Sequence, residues 1–200
     1  LKDRARGHRL LHVATHGFYL NDSCDDVLLA AEEVVPTGRR DVRSTPGRRA
    51  QIAIQNPLLL SGLLLAGANH HGEGAEAAKV DDGIVTAEEL AGLDLRAADW
   101  VVLSGCETGL GELRRGEGVF GLRRAFQIAG ARTTIMSLWE VPDRQTRLFM
   151  RDLYAARLAG EPTAEAMRSA TLRALRRARE IDGIGHPFYW GAFVAAGAFR

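Results

Sequence analysis

One stretch constrains this chain more than any other. Trp100-Val-Val-Leu103 is an unbroken apolar run, and it gives way at once to Ser104-Gly-Cys-Glu-Thr-Gly109. A short run of β-branched and large apolar residues reads as a buried strand, and the glycines after it read as a tight turn. The thiol of Cys106 is therefore presented at the C-terminal end of a core strand, where open α/β sheets hold their ligand sites. Glycine on both sides lets the backbone approach a substrate closely. Taken by itself, Cys106 also fits a small buried residue, since free cysteine is among the most buried residue types.

Ninety residues earlier the same shape recurs. Arg9-Leu-Leu-His-Val-Ala-Thr-His-Gly17 is an apolar strand followed by a polar break, and His16 occupies the position in its break that Cys106 occupies in the other. Two neighbouring parallel strands would set an imidazole and a thiol side by side at one edge of a sheet. Nucleophilic catalysis by cysteine needs that pairing: the thiolate attacks, and a nearby histidine helps ionise it and protonates the leaving amine. His16 alone would read as a strand-end or core histidine. The joint pattern favours a Cys/His site.

Three motifs together resemble one family. Ala14-Thr-His-Gly17, Leu103-Ser-Gly-Cys-Glu-Thr-Gly-Leu-Gly111 and Ser137-Leu-Trp-Glu-Val-Pro-Asp143 look like the CHAT domains, caspase-like cysteine peptidase domains often found beside tetratricopeptide repeats. The resemblance covers about residues 9–196. It implies a caspase–haemoglobinase fold, a catalytic dyad of His16 and Cys106, and an oxyanion hole from the backbone N–H groups of Gly17 and Cys106. Donors aimed at a developing oxyanion are what acyl transfer requires on independent grounds. The caspase turn Gln-Ala-Cys-x-Gly is replaced here by Ser-Gly-Cys-Glu-Thr-Gly. That removes a residue caspases use to hold aspartate at P1, the substrate residue before the cut.

The length of 200 residues suits one domain with a full core, and strands alternating with helices give an α/β class with a mainly parallel sheet. Combined with the resemblance, the expected architecture is a caspase–haemoglobinase-like three-layer sandwich. The chain starts at Leu1 rather than Met and reads as a piece of something longer. With 46% hydrophobic and 26% charged residues and a net charge of +1, its bulk argues for neither a nucleic acid nor a membrane partner. No run reaches the roughly 18 apolar residues of a membrane span. Cys24 and Cys106 lack metal-ligand spacing, so no metal is expected. Their pairing as a disulfide is disfavoured for a chain read as cytoplasmic, with no visible signal peptide.

Along the chain, His12 reads as a packed or half-exposed histidine within a strand Leu10–Ala14. Residues 21–51 form a long irregular stretch, basic at Arg39, Arg40, Arg43, Arg48 and Arg49. Three readings stand for it: a solvated loop, a nucleic-acid or acidic-partner contact, which the lack of interleaved aromatics weakens, or a rim or self-cleavage site beside the substrate groove. Asn56 to Gly67 reads as a helix or strand–helix junction started by Pro57. The pair His70-His71 reads as loop rather than metal site. Thr86-x-x-Glu89 is a capping box. Val119, Leu122, Phe126 and Ala129 mark one buried helix face. Ala131–Trp139 is a strand, and Phe149, Met150, Leu153, Tyr154 and Leu158 line the next helix. Thr163 is the expected cap of a last helix with Leu172 and Leu175 inward and Arg168, Arg173, Arg176, Arg177 and Arg179 solvated. His186 opens a closing strand segment and is a rival base, ranked below His16 because no glycine break surrounds it.

The favoured function is a cysteine endopeptidase acting on a protein or peptide substrate, without metal or organic cofactor. Ser104, Trp139, Glu140 and Asp143 are the substrate-pocket candidates. Trp139-Glu-Val-Pro-Asp143 resembles the corresponding stretch of separase, which cuts after arginine, so Glu140 or Asp143 would favour a basic P1 residue by charge pairing. Asp143 equally fits a plain helix cap, and Leu138 with Trp139 would suit an apolar P1 residue. A regulatory repeat domain or partner protein would fit a peptidase that must be kept in check. The competing class is a catalytically silent interaction module on the same fold. A nucleotide-binding domain fails, because the glycines after Cys106 lack the Gly-Lys-Ser/Thr ending.

Overall fold

The alternation of the Trp100–Leu103 strand splits the core in two. The computed structural model describes residues 1, 4–19, 57–68, 83–105, 117–180, 183 and 185–198. In chain order the strands are β1 (Leu10–Val13), β2 (His16–Tyr19), β3 (Ser61–Leu64), β4 (Ile84–Thr86), β5 (Trp100–Leu103), β6 (Thr133–Ser137) and β7 (Phe193–Gly197). The helices are α1 (Ala87–Ala91), α2 (Glu117–Ile128), α3 (Asp143–Leu158) and α4 (Thr163–Glu180). The main sheet runs β1-β5-β6-β7, and a smaller antiparallel sheet runs β2-β3-β4.

All four β5 residues are buried. Val101 and Leu103 join a cluster with Leu63, Val85, Leu90, Leu122 and Phe126 on the α1/α2 side. Trp100 and Val102 join Phe149, Leu153, Ala166 and Ala170 on the α3/α4 side. A strand covered on both faces needs apolar residues at every position, and the unbroken run meets that need. Each such side chain stabilises the fold by roughly 1.5–3 kcal/mol. β1–β5 and β5–β6 are parallel and β6–β7 antiparallel. The result is the expected three-layer α/β sandwich with a mostly parallel central sheet, compatible with a caspase-like fold.

Local signals explain several boundaries. Thr86 Oγ1 accepts from the Glu89 N–H at 3.2 Å, and Glu89 Oε2 accepts from the Thr86 N–H at 2.9 Å. The capping box therefore starts α1 as read from sequence, a cap worth about 1 kcal/mol. On α2, Leu122, Ala125 and Phe126 are buried, as is Ala129 beyond its end. Gly130 then adopts φ 97°, which lets the chain turn out of the helix.

Elsewhere tertiary contacts override the local pattern. Residues 57–64 are a 3-10 turn (Pro57–Leu59) and then strand β3, rather than a helix. Gly62 pairs with Phe18 on one side and Thr86 on the other, and a Cβ there would strike the Phe18 ring and the Val85 carbonyl. Leu158 is 88% exposed. It lies nine residues beyond Phe149, half a helical turn round from the buried stripe at about 100° per residue. Thr163 is the first residue of α4 and is buried, its Oγ1 accepting the Trp100 Nε1–H at 2.9 Å. Leu172 and Leu175 are half-buried, while Ala166, Met167, Ala170 and Ala178 fill the buried stripe. Arg177 is not solvated: it donates to the buried carboxylate of Asp152, which also accepts from Arg151. A buried carboxylate needs such partners to offset its lost hydration.

Residues 21–51, Cys24, the pair His70-His71 and Cys106 lie outside the described residues. Among the described residues, no helix is long and apolar enough to cross a membrane.

Candidate active site

The C-terminal ends of β1 and β5 lie side by side, in register from Leu10↔Trp100 to Val13↔Leu103. The Ser104 N–H donates to the carbonyl of Val13, the last residue of β1, at 3.2 Å, so the pairing runs one residue past the end of β5. Next, Gly105 closes against Thr15: a Cβ built on Gly105 would overlap the Thr15 carbonyl group. The two polar breaks read from sequence are thus brought against each other. His16 follows Thr15 in the chain, and Cys106 follows Gly105.

His16 does not end β1. Ala14 and Thr15 carry the chain across from the main sheet, and His16 opens β2 in the smaller one, opposite Leu64. The Thr15 hydroxyl donates to the Leu64 carbonyl and ties this crossing to β3. His16 is exposed, whereas Gly17 beside it is buried. The direction of the Gly17 N–H follows from the ladder. Leu65 N–H donates to the Gly83 carbonyl at 2.6 Å, so β3 turns the N–H groups of its odd-numbered residues toward β4. The even-numbered Gly62 and Leu64 therefore bond to β2, through Phe18 and His16. Gly17, opposite Leu63, points its N–H away from β3.

At the end of β6, Val141 is buried and anchors the following loop, while Glu140 and Asp143 are exposed. Trp139 is half-buried. Its Nε1–H donates to the Phe188 carbonyl at 2.9 Å, and its ring lies nearly parallel to that of Phe188, 6.5 Å between centroids. Because β5 and β6 are parallel, Ser104, Trp139 and Glu140 all leave the same end of the sheet. Asp143 is the first residue of α3 and makes no side-chain cap; Pro142 occupies the cap position. His186 spends its Nδ1 on the Phe188 N–H at 3.2 Å, capping the 3-10 turn Pro187–Tyr189.

One cluster at the β1/β5 junction has no counterpart in the sequence reading. His12 Nε2 lies 2.7 Å from Ser104 Oγ, and His12 Nδ1 lies 2.9 Å from the Tyr154 hydroxyl on α3. Burial lowers the pKa of His12 and pushes the Tyr154 phenol up to about 12.

A CHAT domain model matches residues 1–198 of the chain. The chain belongs to the CHAT domain family. It is 28% identical over 106 residues to human tetratricopeptide repeat protein 28 and 29% identical over 116 residues to the mouse protein of that name. The matched stretches cover 53% and 58% of this chain, but 4% of each of those proteins.

In this CHAT domain the sequence signals for His16, Gly17 and Ser104 lead to one end of the sheet. The register could also have pointed to His12. It sits opposite Val102, two residues before Ser104, so alternation puts His12 and Ser104 on one face. Tyr154, 142 residues from His12, gives no sequence signal of its own. The pKa of His12 has a consequence for stability. Since the folded state binds this proton less readily than the unfolded chain, stability is full above the ordinary histidine value of 6.5 and falls as pH drops through the lowered folded value. Thermal melts between pH 7.5 and 5 are expected to lose part of that slope in His12→Gln; an unchanged slope would place the titration elsewhere.

Proposed function

We propose that this CHAT domain is a cysteine endopeptidase with Cys106 as nucleophile and His16 as its base and acid. The observation that carries the reading is the closure of Gly105 on Thr15, which joins the two residues that immediately precede Cys106 and His16. Cys106 attacks the scissile carbonyl as the thiolate, having given its proton to His16. The imidazolium then protonates the leaving amine, and a water molecule, deprotonated by His16, hydrolyses the thioester and restores the thiol. The oxyanion is held by the N–H groups of Gly17 and Cys106. The Gly17 N–H directed away from β3 suits that task, because the sheet does not consume it on that side.

Exposed Glu140 and Asp143 beyond β6 are the groups proposed to pair with a basic P1 residue, with Trp139 as a wall and Ser104 at the base of the site. A charge-assisted, bidentate contact to arginine is the strongest form of that pairing. The matches to tetratricopeptide repeat proteins support control of the site by a repeat domain or partner protein.

The test is a P1-varied fluorogenic peptide library, cleaved by wild type and by Cys106→Ala. Turnover that vanishes in the variant and is highest after arginine or lysine is the expected result. Preference for an apolar P1 would remove Glu140 and Asp143 from the pocket. Turnover equal in both proteins would remove Cys106 from the chemistry.

A further inference from the structure

Three elements meet at His12. It projects from β1, Ser104 continues β5, and Tyr154 stands on α3. The two hydrogen bonds, 2.7 Å to Ser104 and 2.9 Å to Tyr154, use both ring nitrogens. The His12 and Tyr154 rings also touch, 5.7 Å between centroids. Tyr154 is itself held: its ring packs on that of Trp100 at 6.3 Å, and Trp100 is fixed by its bond to Thr163 and by the Arg157 guanidinium 5.2 Å over its ring. Ser104 is gripped twice, by Val13 through its main chain and by His12 through its side chain.

We infer that His12, clamped between Tyr154 and Ser104, is a positioning residue that fixes the strand end leading to Cys106 in the chain. The functional meaning of that strand end rests on the peptidase reading above; the clamp does not.

A serine bonded to a histidine that is oriented by a third group also has the outline of an activated nucleophile. The third group decides against it. A half-buried phenol with its pKa pushed up to about 12 keeps its proton and cannot stabilise an imidazolium as a carboxylate would. A neutral imidazole, one nitrogen donating and the other accepting, is satisfied by two hydroxyls that rotate to suit it. The cluster is built to hold a position rather than to move a proton.

Two substitutions separate the two bonds. Glutamine places its amide nitrogen close to the position of His Nε2, and asparagine close to that of Nδ1. His12→Gln therefore keeps the Ser104 contact, and His12→Asn keeps the Tyr154 contact. The primary readout is hydrogen exchange at the residue 104 amide in the full chain. Loss of one net hydrogen bond corresponds to about a fivefold rise in exchange. His12→Asn and Ser104→Ala are each expected to produce that rise, with Val101 to Leu103 still protected. His12→Gln is expected to stay within about twofold of wild type, and His12→Asn to add nothing in the Ser104→Ala background. Equal exchange in wild type and His12→Asn, or equal rises in His12→Gln and His12→Asn, would overturn the clamp.

Peptide turnover supplies the second readout. His12→Asn should lower kcat about tenfold with KM retained, and His12→Gln should restore most of it. Turnover that needs Cys106 but is indifferent to His12→Asn would overturn the positioning role and leave the peptidase standing. Exchange at residue 104 that responds as stated, in a protein that cleaves nothing, would support the clamp and count against the peptidase.

Discussion

His16→Ala is expected to lower kcat/KM by about a thousandfold while leaving the fold intact. General acid–base groups contribute on the order of 10²–10⁴ to such reactions. His16 would act in acylation as the acceptor of the thiol proton and as the donor to the amine, so both halves of the step suffer together. The cost to stability should be small. His16 is exposed in β2 and paired to Leu64, a pairing that the main chain of alanine can keep. Surface changes of this kind usually stay within about 0.5 kcal/mol. Steady-state kinetics and a thermal melt on the same sample check both halves. A thousandfold loss with an unchanged melt fits a catalytic role, whereas a parallel fall in both would mark a structural one.

Gly105→Ala is expected to be the most damaging single added methyl group among the described glycines. The added Cβ would coincide with the Thr15 carbonyl, a main-chain group that cannot rotate aside. Either the Ser104–Val13 hydrogen bond breaks or the crossing from β1 to β2 shifts. Overpacking of this kind costs about 1–3 kcal/mol, which lowers Tm by roughly 2–12 °C in a chain of this size. Activity should fall further than stability, by about a hundredfold, because a displacement near 1 Å is enough to misalign a reacting group. Gly92→Ala is the control. Gly92 ends α1 in the right-handed region at φ −78°, and a Cβ there meets nothing closer than the Glu89 carbonyl oxygen at 3.4 Å. Near-wild-type melting and turnover are expected for it. Equal behaviour of the two variants would contradict the closure of the two breaks.

Much of this arrangement was legible because it is written in local chemistry. Four consecutive apolar residues at 100–103 demand a strand covered on both sides, and the helices on each face supply the cover. Thr86 and Glu89 state their own cap. The paired breaks after β1 and β5 follow from two strands of similar pattern lying in parallel register. What escaped was decided across distance. The leucines at 58–60 and 63–65 suit a helix or a strand equally, and pairing of β3 on both edges chose the strand. Thr163 would cap a helix in isolation, but the Trp100 indole N–H needed an acceptor in the core. Arg177 looks solvated until Asp152, on the neighbouring helix, is found buried beside it. His16 was expected in the break after one strand and instead begins another, because two residues suffice to pass between the sheets. The His12 cluster required the placement of α3 against the main sheet, which no pattern within β1 or β5 specifies.

The most direct measurement is the rate at which a peptidyl acyloxymethyl ketone with arginine at P1 labels Cys106, followed by mass spectrometry of the whole chain. Cys24, the second thiol, is the internal control. A single adduct on Cys106 is expected, formed much faster than any on Cys24 and slowed about a hundredfold in His16→Ala. Labelling of Cys106 no faster than Cys24, or indifferent to His16, would contradict the dyad and leave the domain as an interaction module on a peptidase-like fold.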